Sequence, residues 1–185
     1  SYGPEREYAA DENILNSTRS TDFITPKSDI SRLFRDAALQ LSKDHPFARH
    51  IVNSGRLSMP AVLRDSPLNT PDADQFAGAM EPGAAAADAP LALDGKPSWL
   101  LSFLGADFTL LCFGDAPAWA EQVDAKLVTV GAKGLADPEG LAARRYDAKP
   151  GSAYLIRPDQ HICARWRQPT ASAVRAAIDK ACART

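Results

Sequence analysis

Apolar residues in the first 55 positions recur with the spacing of α-helices. Residues 4–17 place their apolar side chains close to one face, and a second helix beginning after Ser28 carries a cleaner stripe. The stripe consists of Ile30, Leu33, Phe34, Ala37 and Leu41. Ser28 is a residue type that caps helices by accepting a first-turn N–H. A short third helix is predicted with Asp44 as its cap, Pro46 in its first turn and Gly55 as its stop.

The pattern changes between residues 60 and 97, where six prolines and an alanine run interrupt any helical spacing. A loop of this length is unusual inside a compact domain, so we expect loop and short extended segments that join two parts and pack on the second. From residue 98 the pattern alternates. FTLLCFG and LVTVGA indicate buried strands, and APAWAEQVDA indicates a helix. DPEGLAARRY holds a short helix signal, two more strands follow, and Thr170 begins the last helix. The predicted order is strand, helix, strand, helix, strand, strand, helix.

The stretch YLIRPDQHICARWR, residues 154–167, holds an Asp, a His, a Cys and three Arg. Its apolar residues alternate, which predicts two half-buried strands: Tyr154 and Ile156 share one face, and Ile162, Ala164 and Trp166 share another. Pro158 and Asp159 suit the middle of a turn from Arg157 to Gln160. Arg165 and Arg167 are expected to reach water opposite Trp166.

His161 in this stretch has a catalytic and a structural interpretation. A catalytic His needs an orienting acid and a nucleophile within hydrogen-bond reach, and residues two positions away across a turn tip are poorly placed to supply both. We favour the structural interpretation, in which Asp159 is present for its turn chemistry. Trp99, Trp119 and Trp166 are likewise expected to be packing residues.

Composition excludes several classes of function. The formal net charge of −2 offers no basic field for nucleic acid. The apolar runs are shorter than the roughly 20 residues that span a bilayer, and no signal peptide opens the chain, so we expect no membrane partner and a cytoplasmic location.

Three cysteines without a C-x-x-C suggest neither a disulfide framework nor a zinc site. His45 and His50 are five apart, on different faces of a helix, and cannot chelate one metal ion.

Sequence motifs for cofactors and nucleophiles do not occur in the chain. There is no G-x-G-x-x-G, G-K-[ST] or G-x-S-x-G. We therefore expect no catalytic, cofactor-binding or metal-binding residue in these 185 positions.

The predicted element order resembles that of a thioredoxin-like domain, with a mixed central sheet flanked by helices. TLLCFGDAPAWAEQV is similar to the strand-to-helix stretch that carries the redox motif in thioredoxins, but GDAPAW stands where C-x-x-C would be. Gly151 and Ser152 stand where that family usually has a Pro facing the disulfide. A dithiol exchanger without dithiols cannot exchange, so no redox activity is expected.

A narrower resemblance covers almost the whole chain. SYGPEREYAADENILNSTRSTDFITPKS resembles the last helix of the flavin-binding region in FAD-dependent aromatic hydroxylases of the phenol hydroxylase and 3-(3-hydroxyphenyl)propionate hydroxylase type. GRLSMP, SPLN, PGAAAADAPL and YLIRPDQHICARW resemble the C-terminal thioredoxin-like domain of those enzymes, with Gln160 replacing a common Gly. The resemblance implies that the full protein binds FAD, takes hydride from NAD(P)H and hydroxylates an aromatic ring through a flavin hydroperoxide.

That resemblance also implies a domain plan. Residues 1–55 would be the tail of a missing flavin-binding region, 56–97 a Pro/Ala-rich connection and 98–185 the thioredoxin-like domain without redox cysteines. The absence of an initiating Met agrees with a piece of a longer protein. In that family the FAD fingerprint and substrate pocket precede the region present here, so this fragment would be a non-catalytic structural or assembly module that binds no cofactor.

Two other functions compete with this one. One is a free-standing thioredoxin-like binding or scaffold protein. The other is a redox enzyme of the peroxiredoxin or glutathione-dependent kind, which would need a thiol where DAPAW occurs. In the hydroxylase hypothesis the expected partner is the protein's own missing N-terminal flavin domain. Excision would expose an apolar helical surface, including Ile14, Leu33, Phe34, Leu41 and Ile51. The fragment would then cover it by self-association as a symmetric homodimer, or else fold the helices back against the thioredoxin-like core.

Overall fold

The computed structural model describes residues 2–52 and 60–184. The chain divides into two compact units, Tyr2–Ala61 and Val62–Thr185. The predicted helix stop at Gly55 and most of the GRLSMP motif lie outside the described residues. Across the described ranges, no helix is long and apolar enough to cross a membrane.

The first unit contains three helices: α1 (Tyr2–Ile24), α2 (Asp29–Asp44) and α3 (Pro46–Val52). The predicted cap of α2 is confirmed, because the backbone N–H of Ser31 donates to the hydroxyl of Ser28 at 3.1 Å. The prediction that Asp44 caps α3 is wrong. Asp44 is the last residue of α2 instead, and the N–H of His45 donates to the carbonyl oxygen of Leu41.

The second unit is built on a mixed four-stranded sheet. Its strands are β3 (Thr109–Phe113), β4 (Lys126–Val130), β5 (Ala153–Ile156) and β6 (Ile162–Trp166), in the spatial order β4-β3-β5-β6. Strand β3 is parallel to β4 and antiparallel to β5, and β5 is antiparallel to β6. This order confirms the predicted thioredoxin-like fold preceded by helices.

Each face of the sheet has its own apolar core. Helix α5 (Ala171–Ala181) covers one face and meets the inward side chains of β3, β5 and β6. Helix α4 (Leu141–Arg145) covers the other, together with a 3-10 turn at Leu100–Phe103. A two-stranded hairpin, β1 (Pro90–Leu93) and β2 (Lys96–Trp99), adds Leu91 to that second core. The sheet is therefore buried on both faces.

Burial on both faces overturns the prediction that the hairpin strands are half-buried. All residues of β5 and β6 are buried, and Ile162 packs with Tyr154 rather than with Ala164 and Trp166. The reason is a register shift: Leu155 pairs with Ala164 but Ile156 pairs with Ile162, so one residue of β6 is unmatched and the alternation flips there.

Two further predictions are corrected. The helix expected after Asp115 is only a 3-10 turn at Ala120–Gln122, because the backbone already returns to an extended form at Val123. The carboxylate of Asp115 binds Lys133 at 3.2 Å. Trp99 is not a packing residue, since it is 56% exposed on β2. Trp166 is buried and Trp119 packs against the core, as predicted.

Candidate functional site

The loop edge where thioredoxins carry their redox motif is closed by backbone contacts. The N–H of Gly114, directly after β3, donates to the carbonyl oxygen of Val130 at 2.8 Å, and the N–H of Gly151 donates to that of Phe113 at 2.8 Å. Gly114 has φ +96° and lies against Pro150, where a Cβ would be 3.5 Å from the Pro150 Cα. Backbone segments therefore pack directly against each other at this edge, and neither Gly114 nor Gly151 has a side chain that could take part in a reaction.

The cysteine thiols are placed where they cannot substitute for a redox pair. Cys112 lies inside β3 and Cys163 inside β6, and both are buried and unpaired. Burial raises the pKa of the Cys112 thiol to about 11 and that of Cys163 to about 12. Because the thiolate is the reactive form, both thiols are held in their inert form near neutral pH. Cys163 donates its S–H to the carbonyl oxygen of Leu155 at 3.5 Å.

The predicted turn from Arg157 to Gln160 is confirmed. The N–H of Gln160 donates to the carbonyl oxygen of Arg157 at 2.9 Å, and the N–H of Arg157 donates to that of His161 at 2.8 Å. Gln160 has φ +65°, the left-handed conformation that Gly adopts without strain. This explains why Gly is common at the corresponding position of the hydroxylases that the sequence resembles.

Asp159 organises the ionisable groups of the turn. It accepts hydrogen bonds from Nε and Nη2 of Arg157 at 3.1 and 2.6 Å, and its carboxylate lies 3.4 Å from Nδ1 of His161. Partial burial alone would raise the pKa of Asp159, but the hydrogen bonds from His161 and Arg157 hold it well below its usual range. The geometry gives His161 a role in the turn, and its lack of a catalytic role stays a prediction.

Arg165 does not reach water, contrary to expectation. It is 6% exposed, and its guanidinium binds the carboxylate of Asp72 through Nε at 2.9 Å and Nη2 at 2.5 Å while Nη1 donates to the carbonyl oxygen of Met80 at 2.9 Å. The guanidinium carbon also lies 4.4 Å from the ring centroid of Phe76. The cause is a segment that covers this face, residues 69–89, which we call the strap.

Arg167 is drawn into the same arrangement. Its guanidinium carbon lies 3.8 Å from the centroid of Phe76, and its Nη2 binds the carboxylate of Asp147 at 2.5 Å. The same oxygen of Asp147, Oδ2, also accepts the N–H of Ala77 at 2.8 Å, so this carboxylate joins the residue after β6 to the strap. The hydrogen bonds from Ala77 and Arg167 hold the pKa of Asp147 below its usual range.

The strap also pairs along the outer edge of β6. Thr70 and Gly83 donate their N–H groups to the carbonyl oxygens of Cys163 and Ile162, at 2.8 and 2.7 Å, and Ile162 donates back to Ala84 at 2.8 Å. This covers an edge that would otherwise present unpaired backbone groups. Sequence analysis missed the strap contacts of Asp72, Phe76 and Asp147, although clustered prolines had marked the segment as one that packs on the domain.

Two tyrosines close the core beneath the strap. The hydroxyl of Tyr146 donates to the carbonyl oxygen of Ala87 at 2.8 Å, and that of Tyr154 donates to the carbonyl oxygen of Tyr146. Their rings meet edge to face at 5.0 Å. Burial raises the pKa of Tyr154 to about 12. Both hydroxyls are thus engaged in structural hydrogen bonds.

The turns that follow β3 and β4 differ from those that bind dinucleotide cofactors. FAD and NAD(P)H pyrophosphates bind where a glycine-rich turn opens a helix with free N–H groups. After β3, the N–H of Gly114 already donates to the carbonyl oxygen of Val130, Pro117 has no N–H, and a 3-10 turn stands where a helix would begin. After β4, the N–H of Gly131 donates to the carbonyl oxygen of Leu135 at 2.9 Å. Within the described part of the chain, no group of three or more His, Cys, Asp or Glu side chains could hold a metal ion.

The comparisons with known proteins agree with this architecture. The family model described as "Aromatic-ring hydroxylase, C-terminal" matches residues 79–185, more than half of the chain. The chain belongs to this aromatic-ring hydroxylase C-terminal family. The match begins at residue 79, within the strap, and runs to the end of the chain. It therefore includes Arg165 and Arg167 but not their strap partners Asp72 and Gln75.

Solved structures of flavin enzymes share the fold. The flavin-dependent monooxygenase PieE, solved with FAD and substrate, is 20% identical over 89% of this chain and 32% of its own, with a TM-score of 0.64. RebC, a rebeccamycin biosynthetic enzyme solved with reduced flavin, is 20% identical over 100% and 36%, with a TM-score of 0.59. Aklavinone-11 hydroxylase, solved with FAD and aklavinone, is 22% identical over 80% and 33%, with a TM-score of 0.54.

This member of the aromatic-ring hydroxylase C-terminal family therefore spans about a third of the length of those structures. The curated proteins contain no sequence that matches it.

Proposed function

We propose that this chain is the non-catalytic C-terminal structural and assembly module of an FAD- and NAD(P)H-dependent aromatic-ring monooxygenase. The observation that carries the proposal is the family match over residues 79–185. Two neighbouring structures that share the fold hold FAD: PieE was solved with FAD and substrate, and aklavinone-11 hydroxylase with FAD and aklavinone. The parent protein would bind FAD in the part that this chain lacks.

The ion pairs that the ionisable side chains form within the module support a structural role. Arg157, Arg165 and Arg167 are all bound to carboxylates of the same unit, and two of the three cysteine thiols are buried. FAD, once reduced by NAD(P)H, would supply the oxygen-activating chemistry. The residues of this chain would contribute stability and assembly rather than proton transfer or binding at the flavin.

The proposed partner is the parent's own N-terminal flavin domain. The isolated chain, which lacks that partner, would associate weakly with a second copy through its helical unit. The three unpaired cysteines agree with a reducing compartment, and we place the parent in the cytoplasm.

The test starts from the gene upstream of Ser1. The proposal expects a strand followed by G-x-G-x-x-G near a start codon, and an expressed parent that shows a flavin absorbance spectrum and consumes NAD(P)H with a phenolic substrate. The isolated 185-residue chain should not quench flavin fluorescence in an FAD titration. A start codon beside Ser1, or FAD binding by the isolated chain, would contradict it.

The non-catalytic part of the proposal has its own experiment. His161→Ala in the parent should leave kcat and kcat/KM within about two-fold, because His161 serves the turn rather than the reaction. Loss of activity in that variant without loss of thermal stability would show that the module does take part in catalysis.

A further inference from the structure

We infer that the exposed apolar stripe of α2 is the surface on which the absent flavin-binding part of the parent protein docks. The stripe consists of Ile30, Leu33, Phe34, Ala37 and Leu41. The inference rests on the proposed function, since it takes the parent to be a flavin monooxygenase, and it adds the residues that hold the two parts together.

Helix α2 presents its large apolar side chains to solvent. Ile30 is 81% exposed, Leu33 72%, Phe34 60% and Leu41 43%, whereas the small Ala38 is the buried residue of this helix. At about 100° per residue the stripe positions fall within one face. A surface helix ordinarily buries such a stripe, but α2 exposes it and buries the small Ala38 instead.

The helical unit does not need the stripe for its own construction. Helix α2 is capped at its start by Ser28, and it is tied to α3 by Arg49, which donates through Nε to the carbonyl oxygen of Ser42 at 3.0 Å and through Nη2 to that of Lys43 at 3.3 Å. Ala48 of α3 is 1% exposed. Contacts within the unit therefore use the polar and small-residue side of α2 and leave the apolar side open.

The parent offers a large partner for this face. This chain corresponds to 32–36% of the length of PieE, aklavinone-11 hydroxylase and RebC, so roughly two thirds of those proteins has no counterpart in it. In RebC the shared fold includes the whole of this chain, the helical unit included. A body of that size joined through the same polypeptide is the occupant that the inference commits to.

A second copy of the chain is a poorer occupant. Burying four large side chains and one Ala removes about 300–400 Å² of apolar surface, estimated from the usual transfer energy per side chain. A stable complex between separate molecules buries about 800 Å² on each partner, of which a little over half, about 450 Å², is apolar. A partner in the same polypeptide needs less area, because covalent connection avoids most of the entropy lost on association.

Hydrogen–deuterium exchange of α2 in the purified parent and in the isolated chain tests the inference. The amides of α2 should exchange at least roughly ten-fold more slowly in the parent, because docking suppresses local opening of the helix. The double variant Leu33→Gln, Phe34→Gln should remove most of that difference. Leu39→Gln is the matched control, because Leu39 is also exposed at 40% but lies about half a turn away from the stripe.

Circular dichroism of the same variants in the isolated chain shows whether α2 still forms, and no loss of helix is expected because the substituted side chains are exposed. An FAD-containing parent whose α2 exchanges as fast as in the isolated chain overturns the docking inference alone. Protection in the isolated chain that rises with its concentration and becomes as strong as in the parent overturns it in favour of a second copy. A parent without flavin absorbance overturns the proposed function itself.

Discussion

Asp72 and Arg165 form a two-pronged ion pair across 93 positions of sequence, with Nη2–Oδ2 and Nε–Oδ1 distances of 2.5 and 2.9 Å. The pair joins the strap to β6, and Phe76 lies against the same guanidinium. Arg165 is almost fully buried, so its charge depends on that one carboxylate for compensation. This ion pair therefore holds the strap on the sheet, and removing the carboxylate of Asp72 would leave the buried charge of Arg165 without a partner.

Asp72→Asn should destabilise the second unit by about 2–3 kcal/mol. Removing one partner of a buried ion pair costs about 3–5 kcal/mol, and we discount that range because the side chain of Asp72 is 30% exposed. Urea denaturation followed by tryptophan fluorescence measures the change. Asp65→Asn is the control, because Asp65 is an exposed carboxylate that precedes the strap. This substitution should lower the free energy of unfolding by less than about 0.5 kcal/mol.

Asp159→Asn should make the free energy of unfolding less dependent on pH under acidic conditions. Hydrogen bonds from His161 and Arg157 outweigh partial burial and hold the pKa of Asp159 below its unfolded value of about 3.9. A lowered folded-state pKa contributes stability above the unfolded pKa, and that contribution is lost as pH falls below about 4. The free energy of unfolding, measured between about pH 6 and pH 2.5, should fall less steeply in the variant. Parallel curves would contradict this account of the turn.

Gln160→Gly should stabilise the hairpin by about 1 kcal/mol. Gln160 holds φ at +65°, and a left-handed conformation costs a residue with a Cβ about 1–2 kcal/mol, part of which is offset by the greater freedom of Gly in the unfolded chain. Gln160→Asn should give an intermediate gain, since Asn tolerates this conformation better than Gln. Thermal unfolding ranks the three proteins, and a lower Tm for the Gly variant would show that the Gln side chain matters more than its backbone.

Native thiol titration should find no more than one fast-reacting cysteine out of three. Burial raises the pKa of Cys112 to about 11 and of Cys163 to about 12, and both are shielded in strands. Cys182, at the end of α5, is only partly buried. Reaction with a disulfide reagent near pH 8 should label Cys182 first, and Cys182→Ser should abolish the fast phase. All three should react in denaturant, and rapid labelling of Cys112 in the native chain would contradict its placement.

Local sequence by itself determined much of this protein. The caps, periodicity and turn residues identified the helix after Ser28, the strands at residues 108–114 and 127–132, and the turn at Arg157–Gln160, because each depends on neighbours within a few positions. The thioredoxin-like order followed from the sequence of those elements. The prediction that the chain has no dithiol redox activity also came from local sequence, since GDAPAW contains no thiol.

Tertiary structure alone decided where the long polar side chains and apolar stripes ended up. Arg165 looked like a solvent-facing residue because its partner, Asp72, comes from a proline-rich stretch with no periodic signal. The face of Ile162 depended on a register shift, and the segment after Asp115 forms only a 3-10 turn before the chain becomes extended at Val123. The α2 stripe is visible in the sequence, but only packing shows that it faces outward. Local patterns specify which elements form, whereas contacts between distant segments decide which of their faces are buried.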